Sequence, residues 1–492
     1  MHHNRAITAL VGLSLTAVGL AVVSPVEAAP SPGCGGSPDS VSVLMECVTL
    51  DGVMEHQRKF QKIADKYGGT RASGTMGYDK SADYMDDRLS AAGYVVTRQE
   101  FSFHLYQVEG PSTLQQTAPG SATYVEGTDY TPTTQSEPGD VTAPVTAVDL
   151  MLGIGNTSTS GCQPSDFAGF PAGNIALLQR GGCTFEQKGE NAAAAGAVGI
   201  IFFNQGDVDN AGRMGIPAVT LGDGYTGGIP AVNATYALGV QWANTPGLTM
   251  RLFANVSRVL TTTENIIAES RGGDPSNVVM AGAHLDSVAE GPGINDNGSG
   301  SSALIEVAEQ MAKLSLPNKV RFAWWGAEEA SLVGSNYYVA QLTPAQRAAI
   351  EMYLNFDMIG SPNYGLFILD GSGDLGTTGP PGSDDIEALF ERFYDGRGEI
   401  SAPRTFDGRS DYQAFINNNI PAGGLFTGAE QIKTAEQVTW WGGTAGQQFD
   451  PCYHAECDTI DNLSPYALQL NSDAVAYAVY LYASGQEVIN QP

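Results

Sequence analysis

Val278-Val279-Met280-Ala281-Gly282-Ala283 is an unbroken apolar run, and His284 stops it. A strand covered on both faces reads this way, because neither face alternates toward water. Further along, Ser302 to Leu314 carries Leu304, Val307, Ala308 and Met311 at helical spacing. Val320-Arg321-Phe322-Ala323-Trp324-Trp325 is the next strand, with Glu328-Glu329 just beyond it, and Met352 to Phe356 is another, ending at Asp357. After Ser257 the order is therefore strand, helix, strand, helix, which predicts an α/β fold. In open sheets of that class, ligands gather at the carboxyl ends of strands. His284, Glu329 and Asp357 all fall there.

Two further residues complete a donor set. Asp296 lies in the polar loop Asn295-Asp296-Asn297-Gly298-Ser299-Gly300, where a carboxylate has two oxygens free to bridge two ions. His454 lies in Cys452-Tyr453-His454-Ala455-Glu456-Cys457, where a short disulfide loop would hold the imidazole still. His284, Asp296, Glu329, Asp357 and His454 together offer the nitrogen and oxygen donors that zinc takes. Glu328 sits beside Glu329, and adjacent side chains point in different directions, so one can bind metal while the other acts as base. Asp286, two residues after His284, is placed to accept the imidazole N–H and fix its tautomer. Taken singly, each feature has a plainer reading: a satisfied histidine, an Asp-Asn-Gly turn, a solvated Glu-Glu. Histidine is scarce, however, and after His104 only His284 and His454 occur.

The chain has 492 residues, enough for more than one domain, with 60 glycines and a net charge of −29. That excess of carboxylates disfavours nucleic acid as a partner. Arg5 followed by the apolar run Ile7 to Val23 and by Val26-Glu27-Ala28 predicts a signal peptide cleaved after Ala28, with a retained membrane anchor as the alternative. No later stretch is apolar enough to span a membrane. An exported chain with six cysteines suggests disulfides, and proximity suggests Cys34–Cys47, Cys162–Cys183 and Cys452–Cys457, although connectivity cannot be deduced from sequence.

Helices are expected over Val53 to Tyr67 and Tyr78 to Ala92, and a strand over Val95 to Phe103. From about Gln115 to Gly139 the composition shifts to Thr, Pro, Ser, Gly and Gln, which reads as a boundary. The segment "NIALLQRGGCTFEQKGENAAAAGAVGIIFFN" from Asn174, followed by "GIPAV" at Gly215, resembles the protease-associated (PA) domain. Such domains are non-catalytic insertions in secreted peptidases. The resemblance leaves open whether this one shapes access to the site, contacts substrate or is a spacer.

Seven further segments come in family order: "AGAHLDS" from Ala281, "NDNGSGSSALIEVA" from Asn295, "WWGAEEASLVGSNYY" from Trp324, "LNFDMIG" from Leu354, "GRSDYQAF" from Gly408, "GGLFTGA" from Gly423 and "PCYHAECDT" from Pro451. By these the chain resembles the secreted bacterial leucyl aminopeptidases, co-catalytic two-zinc exopeptidases. The resemblance implies a mixed, mostly parallel eight-stranded sheet between helices, interrupted by the smaller β-rich PA domain. The expected domains are 1–28 as signal peptide, 29–124 and 257–492 as the peptidase, and 125–256 as the insertion.

The same resemblance implies that one zinc is held by His284 and Asp357, the other by Glu329 and His454, with Asp296 bridging and its peptide to Asn297 cis. Glu328 would take a proton from the metal-bridging water, and Tyr453 would donate to the oxyanion. Arg409 would bind substrate and Phe426 would wall the pocket, against plain readings as a surface ion pair and a core ring. Substrates would be peptides or proteins with a free, Leu-like N-terminal residue. A carboxypeptidase, a dipeptidase, a glutaminyl cyclase, or a PA-domain binding protein with a vestigial metal site are the alternatives. The resemblance leaves calcium open, and no EF-hand pattern is present here.

Overall fold

The computed structural model describes residues 40–207 and 211–489. The signal-peptide segment and Cys34 lie outside the described residues. The strands are, in chain order, β1 Val95–Val108, β2 Thr113–Ala118, β3 Ala122–Thr123, β4 Tyr130–Pro132, β5 Gly139–Ala147, β6 Ile175–Gln179, β7 Gly199–Phe203 and β8 Ala231–Ala234. They continue with β9 Thr249–Ala254, β10 Val256–Glu269, β11 Asp274–His284, β12 Asn318–Trp325, β13 Ile350–Phe356, β14 Phe367–Leu369, β15 Ala402–Arg404 and β16 Ala422–Phe426.

They form two eight-stranded sheets. The first has the order β1-β10-β12-β11-β13-β16-β14-β15. Its central strands β12, β11, β13 and β16 run parallel, and β1, β10 and β14 pair antiparallel around them, so the sheet is mixed as expected. From Val278 onward every residue of β11 is buried, as the apolar run predicts. The helices Leu50–Lys66, Met76–Ala92, Gly298–Met311 and Pro465–Ala483 contribute Phe60, Met85, Leu304 and Val475 to the core on one side of the sheet. Trp325, Tyr353 and Phe415 pack together on the other.

The helix expected from Ser302 begins at Gly298, because the Asn297 side chain accepts from the Gly300 N–H at 2.9 Å and caps it. This brings the helix start directly against Asp296.

The second sheet has the order β3-β2-β9-β5-β6-β7-β8-β4. The stretch whose composition shifts, Gln115–Gly139, holds the end of β2 together with β3 and β4, all paired within this sheet. Short strands of Thr and Gln look like loop in sequence, yet this sheet already includes β2 from Thr113. The two sheets are joined by a long ribbon. β1 pairs with β10 from Val95↔Glu269 to Val108↔Val256, whereas the pairing of β10 with β12 stops at Ile266↔Trp324. Beyond Arg98, the partner of Ile266, the ribbon therefore runs past the end of β12 and leads into the second sheet.

Candidate active site

Four loops at the carboxyl ends of β11, β12 and β13 and in the Cys452–Cys457 disulfide loop bring the expected donors together. His284 Nε2 lies 3.2 Å from Asp296 Oδ1 and 3.3 Å from Asp357 Oδ1. His454 Nε2 lies 3.2 Å from the other Asp296 oxygen and 3.1 Å from Glu329 Oε2. The result is two three-residue clusters, His284-Asp296-Asp357 and Asp296-Glu329-His454, that share Asp296 through different oxygens. The Asp296–Asn297 peptide is cis.

Glu329 Oε1 and Asp357 Oδ1 are buried with no hydrogen-bond partner. Leaving carboxylate oxygens dry and unpaired costs several kcal/mol unless a cation faces them. The field of these carboxylates is also visible in the imidazoles. Burial opposes the His454 imidazolium, yet Glu329 and Asp296 push its pKa up to about 11. Nitrogen and oxygen donors of this kind fit zinc.

Each donor is held by a local device. The His284 Nδ1–H donates to the backbone carbonyl of Asp286 at 3.0 Å, leaving Nε2 bare toward the cluster. This corrects the sequence expectation, which gave that role to the Asp286 carboxylate. Its Oδ1 lies 3.6 Å from Nδ1 and accepts instead the Glu328 N–H at 3.2 Å. A histidine two residues from an aspartate at a strand end reaches the nearer main chain first.

Glu328 and Glu329 ride on a tight loop in which Ala327, Ser331 and Leu332 all have positive φ. Such a conformation costs about 1–2 kcal/mol per non-glycine residue. The loop is held by the Ala327 N–H on Ser73 Oγ at 2.7 Å and the Gly326 N–H on Asn265 Oδ1 at 3.1 Å. Burial pushes the Glu328 carboxyl well above its ordinary range, with Glu329, Asp411 and Asp357 adding to it against His284.

Three supports lie outside the donor set read from the sequence. Ser410 Oγ donates to Asp357 Oδ2 at 2.6 Å and accepts from Asn355 Nδ2 at 2.8 Å. Asp458 accepts the Asn295 and Asp296 N–H groups at 2.9 and 3.0 Å. The buried Arg71 guanidinium donates to the carbonyls of Leu285, Pro292 and Gly293, pinning the loop between His284 and Asp296. Ser410 and Asp458 stand inside quoted motifs, but only their contacts reveal their work.

A cavity of about 50 Å³ opens on Glu328 and Asp357, walled by Met358, Leu369, Leu425 and Phe426. Arg409 lines it and also makes the ion pair of its plainer reading, with Glu430 at 2.7 Å. Its Nη2 donates to the Tyr453 hydroxyl at 3.0 Å, and the Tyr453 ring stacks 3.8 Å from that of His454. The Arg404 guanidinium sits 3.7 Å over the Phe426 ring. Disulfides join Cys162 to Cys183 and Cys452 to Cys457, as expected.

Paired imidazole–carboxylate clusters at the strand ends of an α/β sheet, beside a free buried glutamate, define a metal-dependent hydrolase. Residues 265–479 match the model of peptidase family M28, and residues 128–242 that of the PA domain. An aminopeptidase of Pseudomonas aeruginosa (strain PAO1) is 53% identical over 465 residues, covering 94% of this chain and 86% of that protein. Leucine aminopeptidase 2 of Trichophyton equinum is 38% identical, covering 89% and 85%. Among solved structures, the aminopeptidase from Aneurinibacillus sp. strain AM-1 superposes with a TM-score of 0.70 at 25% identity, covering 92% of this chain and 98% of that one. The chain belongs to peptidase family M28 and carries a PA domain.

Proposed function

We infer that this M28 peptidase is a secreted zinc aminopeptidase that removes one large apolar residue from the free N-terminus of a peptide. The observation that carries the reading is the pair of clusters sharing Asp296, with unpaired buried oxygens on Glu329 and Asp357. His284 and Asp357 would hold one zinc, Glu329 and His454 the other, and Asp296 would bridge them. Zinc, when bound, supplies the Lewis acidity that polarises the scissile carbonyl and makes water a usable nucleophile near neutral pH.

The remaining work belongs to side chains. The Glu328 carboxylate takes one proton from the attacking water as its oxygen bonds to the carbonyl carbon. It then passes that proton to the departing nitrogen as the C–N bond breaks. The Tyr453 hydroxyl accepts from Arg409, so its own proton is free to be donated to the oxyanion. Burial first, then the nearby carboxylates, hold its pKa above the ordinary phenol range, which keeps that proton in place. Glu328 and Asp357 face the small cavity and attract a cationic α-amine, while Met358, Leu369, Leu425 and Phe426 suit an apolar first side chain. The aminopeptidase relatives support this assignment. Export is supported by two disulfides, and no helix among the described residues is long and apolar enough to cross a membrane.

Leucyl-p-nitroanilide against its N-acetyl form, with and without a zinc chelator, tests the reading. Cleavage of the free-amine substrate alone, lost on chelation and restored by zinc, is expected. Equal cleavage of the blocked form would reject amine recognition.

A further inference from the structure

A second and larger cavity, about 440 Å³, reaches the same centre from the other side of Glu329 and His454. It is lined by Leu105 to Val108 of β1, by Ser287 to Glu290, and by Thr134 and Gln135 of the second sheet's domain. Among the described residues β1 is an edge strand, paired with β10 alone. In an antiparallel ladder, alternate residues turn their N–H and C=O away from the partner strand.

The phase is set by two contacts. The Glu109 N–H bonds the Asn255 carbonyl at 2.9 Å, which continues the ladder. His104, of opposite phase, sends its N–H outward to Asp223 Oδ1 at 2.5 Å, and its carbonyl accepts from Gln135 Nε2 at 3.1 Å. The PA domain thus caps the edge at His104. Tyr106 and Val108 share the outward phase of His104, and both line the cavity.

We propose that the polypeptide following the scissile bond leaves the metal centre through this cavity, as an extended strand paired to the outward edge of β1 at Tyr106 and Val108. The proposal rests on the aminopeptidase reading and adds its substrate class: chains several residues long with an extended, unstructured N-terminus. Main-chain pairing on a sheet edge is indifferent to side chains, as suits an exopeptidase that must accept any residue after the first. The size difference between the cavities agrees, with room for one side chain on one side and a run of chain on the other. An unprotected edge is otherwise a liability for aggregation. Here the PA domain covers it at His104 and contributes Thr134 and Gln135 to the cavity beside it.

The test is an N-methyl scan of a leucyl pentapeptide on the full-length enzyme, methylating residues beyond the second one at a time. Methylation should lower kcat/KM about fivefold at alternate positions, the worth of one neutral hydrogen bond, and leave the interleaved positions unaffected. An effect that is absent or the same at every position would overturn the proposal. Leucyl-p-nitroanilide, which lacks the downstream chain, reports on the chemistry alone. Loss of its turnover would count against the aminopeptidase reading rather than the groove. A protein-side check is Val108→Pro, which removes one outward N–H at an edge position where proline is tolerated. The ratio of pentapeptide to p-nitroanilide turnover should fall about fivefold; an unchanged ratio would contradict pairing at Val108.

Discussion

The two sheets each carry charge on a segment that follows a strand, and they treat it in opposite ways. In the PA domain, Lys188 lies on the helix Phe185–Ala194 that follows β6, wholly buried. Its ammonium donates to the Ser160 carbonyl and sits 3.5 Å from Cys162 Sγ. In the peptidase sheet, Glu329 and Asp357 lie half-buried past the ends of β12 and β13, each with one buried oxygen that has no hydrogen-bond partner. Buried polar groups in folded proteins are normally satisfied. A buried charge answered by the backbone is structure, whereas carboxylate oxygens left without a hydrogen bond beside two imidazoles form a socket for a cation. Both domains use the same strand–turn–helix grammar, so the grammar does not make the site.

Asp296→Ala breaks this comparison at its strongest point, because it removes the only carboxylate shared by both clusters. The variant should lose bound zinc and with it nearly all turnover, as read by metal analysis beside leucyl-p-nitroanilide hydrolysis. Two tightly held zinc ions in that variant would contradict the bridge. Glu328→Ala separates chemistry from binding. It should keep its zinc while kcat falls about 10²–10⁴-fold, the range for a positioned general base. Near-normal hydrolysis would remove Glu328 from that role.

Ser410→Ala deletes the hydroxyl that donates to Asp357 Oδ2. Zinc affinity or activity should drop about 10–100-fold, as for the outer partners of metal ligands generally. A chelator titration that superimposes on wild type would show that Asp357 needs no such support.

Lys188→Met sharpens the other side of the comparison and should not change turnover. Burial lowers the Lys188 pKa from 10.5 to about 8 in the folded chain. Between those values the unfolded chain binds more protons than the folded one, so this lysine makes stability rise as pH increases from about 8 to 10.5. Denaturant melts across that window should show a shallower rise in the methionine variant. Parallel curves would mean that Lys188 keeps its proton when folded.

Much of the site could be read in sequence because its parts are local. An apolar run that ends in His284 or Asp357 announces a strand end, and two cysteines five positions apart announce the loop around His454. Residues that act across the fold leave no such mark. Arg71 looks like any loop arginine, yet it holds three carbonyls of the segment between His284 and Asp296. The exchange of roles at Asp286, with its carbonyl serving His284 and its carboxylate serving Glu328, depends on how the loop turns. Alternation and spacing do not encode that turn.

The sequence by itself determined the α/β class and the PA domain, and it singled out the candidate donors and the glutamate beside them. Run length, polarity at run ends and motif order are properties of neighbouring residues. Only the tertiary structure decided which donors meet, that Asp296 faces both imidazoles, that Ser410 and Asp458 brace the centre, and that the β1 edge flanks a second cavity. Those are contacts between segments far apart in the chain. They exist only once the sheet order and the rising β1–β10 ribbon have fixed where each strand ends in space.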